Sequence, residues 1–315
     1  MNKHVTIIGI TNAFLSEVAI GISANTAVLL LQALTLHQHR LQAVSLVTVL
    51  LAVTHTAMLL TTAFIATDIL GSRGFWQDVT CKSVLSLYRL ARSLSICATC
   101  YLSVLQAITL SPRSSCLAKF KCKSLPHNLC GFLVLWVFYM SLSGHFLSLI
   151  AATPNVTSEM RVFVTKSCAL WPLDYFLRHF LFVLVVFRDT VLMALMSLSS
   201  GYMVILLCGH QRRAGHLHSA RLSAKASAEQ RAAQTVLLLM STFVVMYFLD
   251  CAASLSRVMW NNDPVYRCVQ LLMSNGYATV SPLVFISAEQ HTINFLKFTC
   301  GRTVNACLLC DGQCS

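Results

Sequence analysis

A few ionisable side chains lie inside long apolar stretches of this 315-residue chain. They are Glu17, Arg89, Arg92, Arg188, Asp189 and Asp250. A charge in such surroundings is costly, so it pairs with an opposite charge or faces a polar cavity. These side chains can therefore form ion pairs and hydrogen bonds with a small molecule. Two interpretations stay open: these groups only hold helices in register, as an Asp250–Arg92 pair would, or they also contact a ligand.

Patterns typical of enzymes and metal sites are missing from the sequence. It contains no phosphate-cradling G-x-x-x-x-G-K-[ST], no H-E-x-x-H and no G-x-S-x-G. The histidine pairs at positions 37/39 and 216/218 lack cysteine or carboxylate partners, which makes them weak metal ligands. We therefore expect no catalysis, no cofactor and no metal ion.

The composition indicates a membrane protein. Hydrophobic residues make up 56% of the chain and charged residues 11%, with a mean hydropathy of +0.69, whereas about a quarter of residues are charged in soluble domains. The net charge of +12 sits in short segments between apolar runs. That distribution follows the positive-inside rule and argues against a nucleic-acid partner.

Seven apolar runs are long enough to cross a bilayer as helices, which takes about 20 residues. They cover residues 8–34, 42–68, 82–110, 130–151, 176–208, 231–259 and 267–288. We therefore predict an all-α fold, a seven-helix transmembrane bundle over residues 1–288 with a cytoplasmic tail over 289–315. Pro282 lies inside the last run and predicts a kink there, because its ring removes one helical hydrogen bond.

The distribution of basic residues predicts the orientation of these helices. The segments 111–129 and 210–230 are rich in lysine and arginine and should be cytoplasmic. The segment between them that contains the glycosylation sequon Asn155-Val156-Thr157 should then lie outside. Counting the spans places the amino terminus outside and the carboxyl terminus inside.

The orientation assigns a depth to the charged residues. At 1.5 Å per residue, Arg89 and Arg92 lie about 12 and 16 Å below Cys81. Asp250 lies about 28 Å from the inner end of the sixth helix, so all three belong to the outer half of the bundle. This grouping predicts a polar cavity that opens outward.

The residues predicted to bind a ligand or to gate the bundle are Tyr88, Arg89, Arg92, Arg188, Asp189 and Asp250. Arg188 and Asp189 should lie nearer mid-depth, and Tyr88 could face either the cavity or a neighbouring helix. His55 in the second helix is interpreted as a hydrogen-bonded core residue, with a ligand contact as the alternative.

Nine of the fourteen cysteines fall into three groups. Cys81 and Cys168 are placed outside, where a disulfide can form, and Cys268 is the competing partner. Cys97 and Cys100 lie inside an apolar helix and are interpreted as packing residues. The cysteines of the tail are possible acylation sites, namely Cys300, Cys307, Cys310 and Cys314.

Two classes of function fit seven spans, a ligand-gated receptor and a channel or carrier for a small solute. No pair of Gly/Pro-broken helices recurs in matching halves, which argues against a carrier. Residues 267–288 contain no lysine, which excludes a retinal Schiff base.

Several segments, spread over nearly the whole chain in order, resemble the vomeronasal type 1 receptors. They are Leu94–Cys100 (LSICATC), Leu105–Arg113 (LQAITLSPR), Leu117–Lys121 (LAKFK), Ala152–Thr157 (ATPNVT), Ser199–Val204 (SSGYMV), His216–Ser219 (HLHS) and Asn275–Pro282 (NGYATVSP). The resemblance implies a G-protein-coupled receptor of the plasma membrane that detects small pheromone-like molecules and signals through an inhibitory-type G protein. It also implies the outer-loop disulfide and a glycan on Asn155.

Basic residues of the predicted inner loops are candidates for direct contact with the G protein, although topology alone already explains them. They are Arg113, Lys121, Arg212 and Arg221.

The sequence also departs from two patterns. Ala224 and Ala228 stand where the family is expected to have prolines, and Leu105-Gln106-Ala107 replaces the acid-Arg-Tyr triplet of rhodopsin-like receptors. Another contact must then restrain the resting state.

Overall fold

The computed structural model describes residues 3–38, 43–70, 77–112, 125–143, 150–152, 162–163, 168–170, 174–214, 234–235, 237–250, 252 and 269–287. Within these ranges, the helices of more than ten residues are α1 (Lys3–Gln38), α2 (Ala43–Leu70), α3 (Asp78–Leu110), α4 (Leu125–Ser143), α5 (Tyr175–Ala214), α6 (Leu237–Asp250) and α7 (Val269–Ser287). The predicted helical fold is confirmed at this level.

Five of the described helices are long and apolar enough to cross a membrane. Their apolar segments are Ile8–Leu34, Ser45–Thr67, Val79–Leu110, Phe187–Gly209 and Val269–Ser287. The apolar segments of α4 and α6, Cys130–Ser141 and Leu237–Asp250, are shorter. The chain is therefore a membrane protein with several spanning helices.

A small antiparallel sheet lies outside the helices and was not predicted. Its strands are β1 (Ile150–Ala152), β2 (Val162–Phe163) and β3 (Cys168–Leu170), in the order β1-β3-β2. The fourth span, predicted over residues 130–151, was therefore too long. Helix α4 ends at Ser143, and Ile150 and Ala151 pair with Leu170 and Ala169 of β3, which satisfies their backbone groups outside a helix.

Helix α3 is the central helix of the described bundle. In its apolar segment 67% of the residues are buried, against 22% in that of α5. Large apolar side chains on α5 point outward instead, among them Phe187, Leu198 and Ile205. An apolar outer surface is what contact with lipid requires, whereas a soluble bundle would place polar residues there.

The carboxyl-terminal end of α3 is set by local chemistry. The Ser111 amide donates to the carbonyls of Ala107 and Ile108, and its hydroxyl donates to Ala107 at 3.0 Å. Pro112 follows, which offers no amide hydrogen to continue the helix. The helix therefore stops with its last carbonyls partly satisfied.

Helix α1 packs closely against α2 and α7 at Gly21. A Cβ added there would lie 2.6 Å from Leu59 Cδ1 and 2.7 Å from Thr279 Oγ1. One turn further along α1, Asn25 Nδ2 donates to the Ala278 carbonyl at 3.0 Å. Pro282 cannot donate to that carbonyl, so a side chain of α1 replaces the missing helical hydrogen bond.

Candidate functional site

An ion pair joins α3 to α6. Arg92 Nη2 lies 2.6 Å from Asp250 Oδ2. Arg92 Nη1 also donates to the Tyr88 hydroxyl at 3.3 Å, which lies 3.1 Å from Ser274 Oγ on α7. The contacts therefore connect three helices through one guanidinium group and one phenol.

A second ion pair lies between α4, α5 and α6. Arg188 Nε donates to Asp189 Oδ1 at 2.8 Å, and the Arg188 guanidinium lies 4.0 Å from the centre of the Tyr139 ring. The Tyr247 hydroxyl donates to Asp189 Oδ2 at 3.0 Å. A cation over an aromatic face is stabilised by the ring quadrupole, and more strongly when it is desolvated.

The two pairs belong to one charged cluster, defined here as Tyr88, Arg89, Arg92, Tyr139, Arg188, Asp189, Tyr247, Asp250 and Ser274. Arg89 links the two ion pairs, because its positive charge interacts with that of Arg92 in the first pair and with that of Arg188 in the second. The structure thus brings together all the residues predicted to bind a ligand or gate the bundle. Sequence reasoning missed Tyr139, Tyr247 and Ser274, because uncharged side chains in apolar helices carry no comparable signal.

Asp250 can accept a further hydrogen bond. Its Oδ2 is paired with Arg92, whereas its Oδ1 is buried and accepts no hydrogen bond from the residues that the structure describes. A buried acceptor without a donor is costly. The cluster can therefore accept a hydrogen bond from another molecule at this atom.

A neutral polar network lies beside the charged cluster. His55 Nε2 is 2.7 Å from Ser95 Oγ on α3, and His55 Nδ1 is 3.3 Å from Ser281 Oγ on α7. The Tyr277 ring packs edge-on against His55, and its hydroxyl lies 3.2 Å from Thr99 Oγ1. These contacts agree with the interpretation of His55 as a hydrogen-bonded core residue.

The carboxyl-terminal half of α3 contacts α5 through hydroxyl groups. Ser103 Oγ lies 2.7 Å from Ser199 Oγ, and Ser111 Oγ lies 3.0 Å from the Tyr202 hydroxyl. Their signal in the sequence was the recurrence of small polar residues within apolar helices, which packing against a neighbouring helix explains.

Cys81 and Cys168 form a disulfide, as predicted, with their Cα atoms 5.8 Å apart. It attaches β3 to the amino-terminal end of α3. Cys97 and Cys100 are free and buried. In the described ranges there is no group of three or more His, Cys, Asp or Glu residues that could hold a metal ion.

Other predicted functional positions lie outside the residues that the structure describes. They are Asn155, Arg113, Lys121, Arg221, Cys268, Cys300, Cys307, Cys310 and Cys314. Arg212 lies on the last turn of α5, where only the backbone is described.

Comparison with known proteins identifies the family. The vomeronasal organ pheromone receptor family matches residues 8–298. Vomeronasal type-1 receptor 90 of Rattus norvegicus is 51% identical over 310 residues, covering 97% of this chain and 100% of the relative. Vomeronasal type-1 receptor 45 of Mus musculus is 48% identical over 289 residues, covering 91% of each. The chain therefore belongs to the type 1 family of vomeronasal organ pheromone receptors.

Proposed function

We propose that this receptor binds a small pheromone-like molecule in the outer half of the bundle, at the charged cluster, and activates an inhibitory-type G protein at the plasma membrane. The observation that carries the proposal is the Arg92–Asp250 pair, which links α3 to α6 beside an unused acceptor on Asp250. Membership of a pheromone receptor family supports a small-molecule ligand and a G-protein partner in general.

The ion pair suggests how binding is transmitted. A ligand shifts an equilibrium between two arrangements only by the difference between its affinities for them. A molecule that hydrogen-bonds Asp250 Oδ1, or competes for Arg92, interacts differently with a bundle in which α3 and α6 are joined and one in which they are apart. The free energy that couples ligand binding to this rearrangement is on the order of 1–3 kcal/mol.

The proposal includes seven spans, with α4 and α6 crossing the membrane, the amino terminus outside and the tail inside. The sequon at Asn155 and the basic segments 111–129 and 210–230 support this orientation. Residues 1–288 then form one bundle. On its inner side Arg113, Lys121, Arg212 and Arg221 would face the G protein, with acylation of Cys300, Cys307 or Cys310 anchoring the tail.

The restraint on the resting state must differ from an acid-Arg-Tyr lock, because Leu105-Gln106-Ala107 carries no charge. The hydroxyl contact between Ser111 and Tyr202 is close to this position and holds α3 to α5. We assign it part of that restraint, with an outward swing of the inner end of α6 admitting the G protein.

The test is ligand-stimulated nucleotide exchange. Cells with verified surface expression are screened against a small-molecule library, and active compounds are then tested on purified receptor with inhibitory-type and stimulatory-type G proteins. We expect exchange on the inhibitory type only. Exchange on the stimulatory type alone would overturn the coupling, and solute flux without exchange would indicate a channel or carrier.

The binding site is tested with Asp250→Asn and Arg92→Gln. We expect each to shift ligand potency at least tenfold at matched surface expression. Cys208→Ser is a suitable control, because Cys208 is a free, exposed residue on α5 outside the cluster. If both cluster variants keep wild-type potency and basal exchange, the ligand binds elsewhere.

A further inference from the structure

One ionisable residue inside an apolar helix lies outside the charged cluster. Glu17 is the only residue with a charged or imidazole side chain in Ile8–Leu34, the apolar segment of α1. Its side chain is half-buried, but its Oε2 atom is buried and receives no hydrogen bond from the residues that the structure describes. The proposed ligand site does not use this carboxyl, so its presence in an apolar span needs an explanation of its own.

The Glu17 carboxyl lies at the contact between α1 and α7. A Cβ added to Gly276 of α7 would be 3.9 Å from Glu17 Oε1 and 3.2 Å from Met246 Sδ of α6. The Thr279 hydroxyl, one turn further along α7, donates to the Glu17 backbone carbonyl at 3.4 Å. Val18, the next residue of α1, is buried in an apolar cluster. None of these neighbours carries a charge.

The helices around this part of α1 offer Glu17 no cation. Over the lengths that the structure describes, α2, α6 and α7 contain no lysine or arginine. Their only histidine in these ranges is His55, which contacts Ser95 Oγ through Nε2 and Ser281 Oγ through Nδ1. The carboxyl therefore has no positive partner on any of the three helices.

The other titratable side chains described on α6 and α7 have contacts of their own. The Tyr277 hydroxyl contacts α3, the Tyr247 hydroxyl donates to Asp189, and Asp250 is paired with Arg92. None of these contacts involves the carboxyl of α1. The charged cluster is therefore balanced within itself and does not compensate a negative charge on α1.

We propose that the Glu17 carboxyl is a proton-binding site, and that α1 and α7 pack together with Glu17 as a neutral acid. An ionised carboxylate within hydrocarbon requires a compensating partner, and the described surroundings supply none. A buried acid without such a partner becomes neutral, because losing its hydration as an ion costs far more. A proton removes the charge and needs no space between the packed helices.

Proton binding links the contact between α1 and α7 to pH. Where the native acid is protonated and the unfolded one is ionised, the native state binds one more proton than the unfolded state. The free energy of unfolding then falls as pH rises. Helix α7 also carries Ser274 of the charged cluster. Release of the proton therefore acts on a helix that the charged cluster contacts.

The direct test is infrared difference spectroscopy of the full-length receptor in a lipid nanodisc at neutral pH. A protonated carboxyl has a carbonyl-stretch band that an ionised carboxylate lacks. We expect this band in the difference between wild type and Glu17→Gln. Asp174→Asn, at an exposed carboxyl next to the start of α5, is the control and should not remove the band. If Glu17→Gln removes no such band, Glu17 is ionised and the proposal is overturned.

A second test measures thermal unfolding as a function of pH. Glu17→Gln resembles the neutral acid in shape and cannot ionise, so it is the reference in which all other groups still titrate. From about pH 5 to about pH 8, Tm of the wild type should fall by about 2–4 °C relative to this variant. A constant difference contradicts the proposal. A wild type that gains stability relative to the variant would show an ionised Glu17 paired with a cation.

Surface expression distinguishes a neutral acid from a required negative charge. Glu17→Gln should reach the cell surface as the wild type does, because it replaces one neutral polar group with another. Asp250→Asn is the contrast, since it breaks an ion pair and should reduce expression. Failure of Glu17→Gln to fold would show that the charge itself is needed, and it would overturn the proposal.

Discussion

Arg92 and Asp250 show what a charge inside a membrane protein requires. Their side chains are 26% and 12% exposed and only 2.6 Å apart, so each relieves the cost of burying the other. A buried ion pair adds little net stability compared with an apolar pair, but loss of one partner leaves an uncompensated charge. The pair therefore explains why both charges are tolerated inside apolar helices, and it is compatible with a ligand contact.

This balance predicts a specific pattern in a double-mutant cycle. Arg92→Gln and Asp250→Asn should each lower the stability of the solubilised receptor by about 3 kcal/mol. The double variant should lose less than the sum, with a coupling of about 1–3 kcal/mol. Thermal unfolding of the four proteins measures this, and additive losses would show that the pair contributes no interaction energy.

The two hydrogen bonds of His55 should differ in strength. Ser95→Ala removes a 2.7 Å contact and should cost about 1–3 kcal/mol, because it leaves a buried imidazole nitrogen unsatisfied. Ser281→Ala removes a 3.3 Å contact and should cost less. Equal losses of Tm for the two variants would contradict this ranking.

Charged residues were predictable one by one because each is costly in an apolar helix. Asn25, Thr99 and Tyr277 were not, since a neutral polar residue there is common and its partner is remote in sequence. The contact from Asn25 to Ala278 spans 253 positions, and no local sequence pattern predicts it.

At the scale of the helices, a small residue determines how closely α1 approaches its neighbours. Gly21 allows α1 to approach α2 and α7 because the missing side chain leaves room for Leu59 and Thr279. Small residues have this role in membrane bundles, where packing rather than water drives association. The Asn25 contact depends on the same approach, one turn along the helix.

Substitution at two glycines tests this role. Gly21→Ala should destabilise the receptor by about 1–3 kcal/mol, because its Cβ would overlap two neighbours. Gly201→Ala on α5 should be neutral or stabilising by up to about 1 kcal/mol, since nothing lies within 4 Å and alanine favours the helix. A comparable loss of Tm in both variants would show that the close contacts at Gly21 do not account for its effect.

The disulfide ties the small sheet to the helical bundle. It joins β3 to the start of α3 across 87 positions, and β1 and β2 pair with β3 on either side. The apolar run that suggested a longer fourth span contributes β1 instead. Hydropathy could not distinguish the two outcomes, because strand pairing depends on residues far along the chain.

Removal of the disulfide should therefore affect folding. Cys81→Ser or Cys168→Ser should cost about 2–4 kcal/mol and reduce surface expression. Cys130→Ser, at a free and exposed cysteine, is the control and should leave expression unchanged. Normal expression and Tm in the Cys81 variant would show that the loop folds independently of the bridge.

At the scale of the whole molecule, the proposed orientation in the membrane rests on the charge of the connecting segments. Epitope tags beside residues 158 and 218 should be found on opposite sides of an unpermeabilised cell. Asn155→Gln should remove a glycan-dependent shift in electrophoretic mobility. Tags on the same side would contradict the seven-span topology, while loss of the glycan alone would leave it intact.

Composition and apolar run lengths alone determined that this chain is a helical membrane protein, because hydrocarbon admits only long apolar segments with internally satisfied backbones. The charged residues inside those segments also predicted where the charged cluster lies. Only the tertiary structure decided which helices these charges join, that Asn25 compensates for Pro282, and that residues 150–151 form a strand. Each of these depends on groups distant in sequence that meet only when the helices pack together.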